Sequence, residues 1–501
     1  MSISITSSIN IRSAARGMVP LWAGAVVYLF LLSIGEILLR DADSFWQIKV
    51  GQWIVDHGAV PYADIYSFTR FGEPWISSSW LSQVLYAIAY RGADWAGPVI
   101  LASIAVGVTV AIFIHLLSAF IDPARALLIA TLALLQSATH FFARPHVLAL
   151  PVMLAFVGGL MAAADRRSHP SWLLLPLMAP WANLHGGFVL GLVLIGPIGL
   201  EAIWCVERKY RFALATRWAL FGLAAVAASC STPYGWDTLL AATKILSLGK
   251  LLSLISEWMP ADFSTFTFFE ATLLGLIGIA FYRRLELSVP RIILLLGLIW
   301  MALTHVRNIE VFAFLAPLVL AKPVAQQWGT AEAVVPGLEE IRTPPYVMML
   351  SAITIAAVGW VSTTTYVAHH SFSFLTRQTP VAAVDFLEQR KPHRIFHTAG
   401  FGGYLIFRDI KVFIDGRAEL YGEQFVLDYF DATGARNVGN FLGLLDTYRI
   451  DATLLNADSA AAYALDHVKG WKRLYTDDVA VIHVRTDQVR LTAAPAAEAS
   501  N

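Results

Sequence analysis

Charge is scarce in this chain. Of its 501 residues only 14% are Asp, Glu, Lys or Arg and 57% are hydrophobic, where an average soluble domain carries roughly 25% charge. Too little polar surface is available to solvate the whole, so the sequence reads as an integral membrane protein. Lys plus Arg (36) equals Asp plus Glu (36), and no long basic run exists to hold a phosphate backbone by counterion release. Nucleic acid is excluded as a partner. Cysteine is scarce too: Cys205 and Cys230 both lie in apolar stretches, which leaves neither a disulfide framework nor a CxxC metal pair. The HExxH, Walker and GxSxG patterns are missing, so zinc-hydrolase, NTPase and serine-hydrolase chemistry has no support.

What the chain has is apolar runs. A hydrocarbon core about 30 Å thick needs roughly 20 apolar residues per helix, and about eleven runs meet or approach this, near 21–39, 96–119, 126–142, 146–163, 171–182, 186–204, 218–232, 264–282, 289–304, 307–322 and 347–367. The first follows Arg12 and Arg16 without a small-residue cleavage site and reads as an uncleaved span. With these arginines inside, Arg125, then Arg166 and Arg167, then Arg208, Lys209, Arg211 and Arg217, then Arg283, Arg284 and Arg291 all fall inside as well. This parity requires that 79–92 lie along the interface as an amphipathic helix instead of crossing. The N-terminus is then cytoplasmic, and the loop 40–95, the loop 232–263 and everything beyond His369 are external.

Three parts result: a transmembrane module over 1–370 with its external loop 40–95, a C-terminal domain over 371–487, and an Ala-rich tail, 488–501, whose composition predicts disorder. The fold class is mainly α, a polytopic helical bundle with a small extracytoplasmic α/β domain. In that domain helices are predicted at Val381–Gln389, Phe425–Asp431 and Phe441–Tyr448. Strands are predicted at Arg394–His397, Val412–Ile414, Ala452–Leu455, Arg473–Tyr475 and Val479–Val484, with Asp477-Asp478 as a hairpin turn.

Polar residues that seldom sit at membrane borders collect on the external face. Asp41 and Asp43, in Arg40-Asp41-Ala42-Asp43-Ser44-Phe45-Trp46, stand two apart in a non-helical turn. They can share one cation, divide the roles of base and orienter, or simply solvate a helix end beside a snorkelling Arg40. Arg144 and His146 follow the third run, Asn183 and His185 sit between the fifth and sixth, and Glu257 and Trp258 lie in the long external loop. His305, Arg307 and Asn308 occupy the short turn between the ninth and tenth runs. The histidines alone read as packing residues as readily as ligands. Arg307 needs an anionic partner: Asp41, Asp43, Glu257 or a phosphate, and Arg144 is a second phosphate candidate. In the C-terminal domain Gly402-Gly403-Tyr404 and the run Asp415, Gly416, Arg417, Ala418, Glu419, Leu420, Tyr421 follow predicted strands, where ligands bind. Alternatively, Asp415 and Arg417 pair to fix a tight turn.

DADSFWQIKVGQWIVDHGAVPYADIYSFTRFGEPWISSSWLSQVLYAIAY, residues 41–90, resembles the first external loop of bacterial membrane proteins grouped with the GT-C glycosyltransferases. WANLHGGFVLG, ISEWMPADF and FGGYLIF with KVFIDGRAELYG resemble other marks of the group. The resemblance covers most of the chain. It implies a sugar donor linked to polyprenyl phosphate, inversion at the anomeric carbon, and an acidic residue of the first loop as base, here Asp41 or Asp43. Arg307, His305, Arg144 and His146 would hold the donor phosphate. Trp46, Asn183, His185, Glu257, Asp415, Arg417, Glu419 and Tyr421 would contact the sugar or the acceptor, whether glycan, lipid or protein. No cofactor is required, although a divalent metal between Asp41 and Asp43 is compatible with the pattern. Location in a bacterial inner membrane with a periplasmic C-terminal domain is implied. Two departures stand out: the WWDxG segment of oligosaccharyltransferase catalytic subunits is absent, and Asp-Ala-Asp replaces the Asp-Glu of protein O-mannosyltransferases and aminoarabinose transferases. A non-enzymatic scaffold or transport component of envelope glycolipid assembly is the alternative. A transporter, however, should show repeated halves or paired interrupted helices, and the sequence has neither.

Overall fold

A computed structural model describes residues 3–246, 249, 252, 255–329, 345–434 and 437–486. The tail 488–501, expected to be disordered, lies outside the described residues. The chain divides into two compact units, Met1–Leu38 with Arg91–Ala242 and Leu252–Phe372, and Leu39–Tyr90 with Thr243–Leu251 and Ser373–Asn501. The loop 40–95, assigned from sequence to the membrane module, therefore groups largely with the C-terminal domain.

Each apolar run is helical in the first unit. Among the described residues five helices are long and apolar enough to cross a membrane: Ala96–Leu117, Pro145–Asp165, Arg208–Ser229, Asn308–Trp328 and Met349–His369. Shorter apolar helices occupy Met18–Ser33, Trp172–Leu184, Phe188–Trp204, Phe268–Tyr282 and Val289–Thr304. This is a multi-pass membrane protein. Several runs differ from expectation; the first, for example, is α-helical to Ser33 and ends in a 3₁₀ segment, Gly35–Leu39. The third is α-helical only over Pro123–Ser137 and continues as a short 3₁₀ turn, Ala138–His140; its α-helical part reaches about 22 Å, short of a full hydrocarbon core. The seventh begins at Arg208, ten residues early, so Arg208, Lys209, Arg211 and Arg217 ride on the helix instead of a loop.

Close backbone approach packs the first helices. A Cβ on Gly24 would lie 2.5 Å from the Gly107 carbonyl oxygen, and one on Gly107 2.7 Å from that of Gly24, the contact small residues permit between membrane helices. At the other helix ends Arg291, one of the cations that set the topology, is buried. Its Nε donates to Glu201 (3.0 Å), its Nη2 to Asp165 (2.9 Å) and its Nη1 to the Val319 carbonyl (3.1 Å). Four helices are tied together by one satisfied guanidinium.

The second unit contains a four-stranded sheet. Strands β1 (Ile395–His397), β2 (Ala452–Asn456), β3 (Trp471–Thr476) and β4 (Ala480–Arg485) lie in the order β1-β2-β4-β3, with β1 parallel to β2 and the other pairs antiparallel. The β3–β4 hairpin turns at Asp477, whose N–H donates to the Ala480 carbonyl. Two predictions fail here. Val412–Ile414 is not a sheet strand: Val412 makes one isolated parallel bridge, to Ser67, because its hydrogen bonds go to Tyr66 and Phe68 of the first loop. Gly402-Gly403-Tyr404 is not a loop; it opens the helix Gly402–Phe407. The helix Ala460–Asp466 had no periodic signal long enough to be read.

The first loop is built into this unit. Its helix Asp43–His57 sets Phe45 against Phe374 (4.9 Å between ring centres) and Tyr404 (5.1 Å). Lys49 pairs with Asp409 at 2.7 Å. The expected amphipathic helix is present as Trp80–Ala93, and its Ser82, Gln83, Tyr86 and Ala87 are buried. A Cβ on Gly51 would collide with the Gln83 carbonyl, so glycine alone allows these two helices their spacing.

Candidate functional site

The second unit holds the acidic turn. Asp43 is not in a free turn; it is the first residue of the helix Asp43–His57. Asp41 Oδ1 accepts the Asp43 N–H (2.7 Å) and so satisfies one of the orphan donors at this helix end. Trp46, one turn on, donates its indole N–H to Asp43 Oδ1 (2.9 Å). The seat of the turn is glycine. A Cβ on Gly403 would collide with the Ala42 carbonyl oxygen, and one on Gly416 with Asp43 Oδ1. The two glycine motifs of the C-terminal domain thus leave room for the Asp-Ala-Asp motif.

Beside it, Arg417 is enclosed by acids. Its Nη1 donates to Asp64 (2.7 Å), its Nε and Nη2 donate to Asp415 (2.8 and 2.6 Å), and Tyr421 Oη donates to Asp415 (2.8 Å). All three charged side chains, Arg417, Asp415 and Asp64, are fully buried. Burial raises the Asp415 pKa, but the Arg417 guanidinium and its hydrogen bonds outweigh that and hold it below the usual carboxylate range. The polar groups of Asp415, Arg417 and Tyr421, expected to contact sugar or acceptor, meet one another here. Glu419 differs. It is half-buried, accepts the Trp75 indole N–H (3.3 Å), and has its pKa raised by burial, an effect that its own N–H, Trp75 and Arg417 only partly offset. The rings of Trp46 and Trp75 meet edge to face, 6.4 Å apart.

The first unit holds the basic cluster. Arg144 precedes the helix Pro145–Asp165, Arg307 precedes Asn308–Trp328, and both reach Glu257 on the short turn Ser256–Trp258. Arg144 pairs with one carboxylate oxygen of Glu257, and Arg307 lies 3.9 Å from the other. Burial opposes the charge on Glu257, yet the two guanidinia bring its pKa down to about 2. Glu257, one of the partners open to Arg307 in the sequence, thus lies beside it. Trp258 covers the Arg307 guanidinium at 4.6 Å. His305 has a structural contact, Nδ1–H donating to the Trp258 carbonyl (2.7 Å), and Arg307 N–H donates to the Glu257 carbonyl (3.1 Å), so this turn is fastened to the Glu257 segment. His146 donates from Nε2 to the His140 carbonyl (2.8 Å) and its ring lies 6.2 Å from that of His185, whose Nδ1 accepts the Gly187 N–H (3.1 Å). Asn183 is buried, and its amide donates to the Ala179 and Ser231 carbonyls (2.7 and 2.9 Å).

No protein-family model and no curated protein matches the chain. Solved structures do. The chain is similar to a crystal structure of the Archaeoglobus fulgidus oligosaccharyltransferase tethered through a disulfide to an acceptor peptide containing the NVT sequon. That match has 11% identity and a TM-score of 0.50, over 92% of this chain and 74% of that one. The apo form of the same enzyme matches at 10% identity and a TM-score of 0.47, over 87% and 70%. The fold is the GT-C fold.

The sequence singled out both clusters but missed three members. Asp64 receives Arg417, and its carboxylate also caps the turn through the N–H groups of Tyr66 and Ser67; Asp-x-x-Ser is a turn signal that could have marked it. His140 and Glu310 stand within electrostatic reach of Glu257 and Arg307. An ionisable residue in an apolar run, such as Glu310, is itself a signal. Among the described residues no three His, Cys, Asp or Glu side chains gather as metal ligands.

Proposed function

We propose that this protein is a GT-C glycosyltransferase that moves a hexosyl or pentosyl group from a polyprenyl-phosphate donor to an acceptor hydroxyl on the extracytoplasmic face, with inversion. The carrying observation is that two guanidinia, Arg144 and Arg307, converge on a single carboxylate at helix ends, an arrangement suited to the dispersed charge of a phosphate. Asp43, or Asp41 beside it, takes the proton of the acceptor hydroxyl. The freed oxygen attacks the anomeric carbon as its bond to the phosphate oxygen breaks, and the polyprenyl phosphate leaves with its charge met by Arg144 and Arg307. His146 and His185 line that cluster, and Trp46 and Glu419 accompany the acidic turn. A divalent metal at Asp41 and Asp43 would add Lewis-acid help with the acceptor. The orientation implied is an N-terminus in the cytoplasm and a C-terminal domain in the periplasm of a bacterial inner membrane.

The test is mass spectrometry of lipids that co-purify from native membranes. A polyprenyl-phosphate sugar should accompany the wild type and be lost from Arg307→Ala. Bulk phospholipid alone on both, under conditions where a known enzyme of this type keeps its donor, would favour a scaffold. If Asp41→Asn and Asp43→Asn variants that fold and insert normally both transfer sugar at the wild-type rate, the base lies elsewhere.

A further inference from the structure

Beside the two arginines lie polar atoms that nothing in the chain satisfies. Among the described residues, Gln136 Oε1, Ser137 Oγ and Glu310 Oε1 are buried without a hydrogen-bond partner. Their residues are 8%, 0% and 5% exposed. Gln136 and Ser137 end the helix Pro123–Ser137, and Glu310 lies in the first turn of Asn308–Trp328; these two helices pack together. Both positions flank the basic cluster. His140, three residues beyond Ser137, feels the charges of Glu257, Arg307 and Arg144, and Glu310, three residues beyond Arg307, feels those of Arg307 and Glu257.

An unsatisfied buried polar group is costly, so three near one candidate site call for an explanation. The Gln136 amide nitrogen already donates to the Leu132 carbonyl (3.2 Å), which leaves its oxygen as an acceptor. The carboxyl oxygen of Glu310 accepts as well, and Ser137 can do either. A phosphate's oxygens are acceptors and could take a proton from Ser137 but not pair with the Gln136 and Glu310 oxygens; a hydrocarbon tail has no polar atoms at all. A sugar ring presents hydroxyl donors. We infer that Gln136, Ser137 and Glu310 receive the hydroxyls of the donor's sugar, and so act as specificity-determining residues next to the arginines that hold its phosphate. This rests on the phosphate assignment made above. The sugar it favours is a neutral, hydroxyl-rich ring, because a ring carboxylate would face Glu310.

Isothermal titration of the purified full-length protein in detergent tests this with inorganic phosphate and the 1-phosphates of glucose, galactose and mannose. The wild type should prefer at least one hexose phosphate to inorganic phosphate by about tenfold or more, since a site built to pair hydroxyls discriminates strongly. Ser137→Ala, Gln136→Met and the isosteric Glu310→Gln should each reduce that preference and leave affinity for inorganic phosphate unchanged. Arg307→Ala should weaken both probes together. A preference unchanged in all three variants, or no preference in the wild type, overturns the sugar assignment while a response to Arg307→Ala leaves the phosphate site standing. Indifference of every probe to Arg307→Ala overturns both.

Discussion

Gly416→Ala separates the placing of Asp43 from the stability of the fold. The added methyl would collide with Asp43 Oδ1 and lie 3.0 Å from its Cγ and 3.2 Å from Oδ2. The carboxylate must therefore retreat by about 1 Å to reach ordinary van der Waals contact. The atom met is the far end of a side chain, so the backbone can stay in place while the carboxylate gives way. What it loses is the Trp46 hydrogen bond of 2.9 Å. A bond to a charged acceptor is worth about 1.5–3 kcal/mol, which for a unit of roughly 150–250 residues is a fall in Tm of about 3–12 °C. The effect on rate should be larger, since a catalytic group misplaced by about 1 Å costs on the order of 100-fold. Gly400→Ala is the control: a Cβ there meets nothing within 4 Å. The assay is transfer of labelled sugar from a short prenyl-phosphate donor, beside a thermal melt of the same preparation. A folded Gly416→Ala protein with wild-type turnover would refute the placing of Asp43 as base.

Other expectations follow from the same two clusters. Arg417→Met leaves Asp64 and Asp415 buried without their guanidinium, which should cost about 3–5 kcal/mol and appear as early protease cleavage of the C-terminal domain; resistance equal to wild type would mean the acids are neutral there already. The Asp415 pKa is lowered in the fold, so its stabilisation is present above the unfolded value and is lost as pH falls through the folded one. Asp415→Asn should flatten the acid limb of a melting-temperature profile. Glu419 has the opposite sign: its pKa is raised, so its contribution favours the fold at low pH and fades as pH rises. Glu419→Gln should remove that decline, which the same profile would reveal. Glu257→Gln takes away the carboxylate that now competes for both arginines, and phosphate affinity should rise about two- to fivefold, the equivalent of a partly exposed ion pair worth about 0.5–1 kcal/mol; a fall in affinity would show that Glu257 orders the site instead.

How much of this was legible in the sequence depended on how local the signal was. The membrane helices are written in runs of apolar residues, and each run is a helix. Their ends were less certain: the seventh starts at Arg208 because long basic side chains extend a helix as well as they end one. Arg291 served as a loop cation in the charge count but is buried against Asp165 and Glu201, partners 126 and 90 residues away. Nothing local announces such a pair. The strand expected at Val412–Ile414 failed for a similar reason. Its apolar residues are indeed buried, but its backbone pairs with Ser67 of a distant loop, and alternation cannot tell a sheet neighbour from a single bridge.

The motifs that first suggested the fold have a common physical basis in the second unit. Asp-Ala-Asp, Gly-Gly-Tyr and Asp-Gly-Arg are more than 350 residues apart in their first and last members, yet a side chain at Gly403 or Gly416 would occupy the space of Ala42 or Asp43. Asp415 and Arg417 then fix the second glycine from both sides through a buried ion pair whose third member, Asp64, comes from the first loop again. Reading either glycine motif as a ligand loop was reasonable from its residues alone, since glycine, charge and an aromatic are what such loops contain. The alternative that fits is that the glycines admit another part of the same chain. Their part in function is therefore indirect: they set where an aspartate sits, so a substitution there should change rate more than it changes substrate affinity. The three unsatisfied groups proposed to receive the donor's sugar, Gln136, Ser137 and Glu310, should do the reverse.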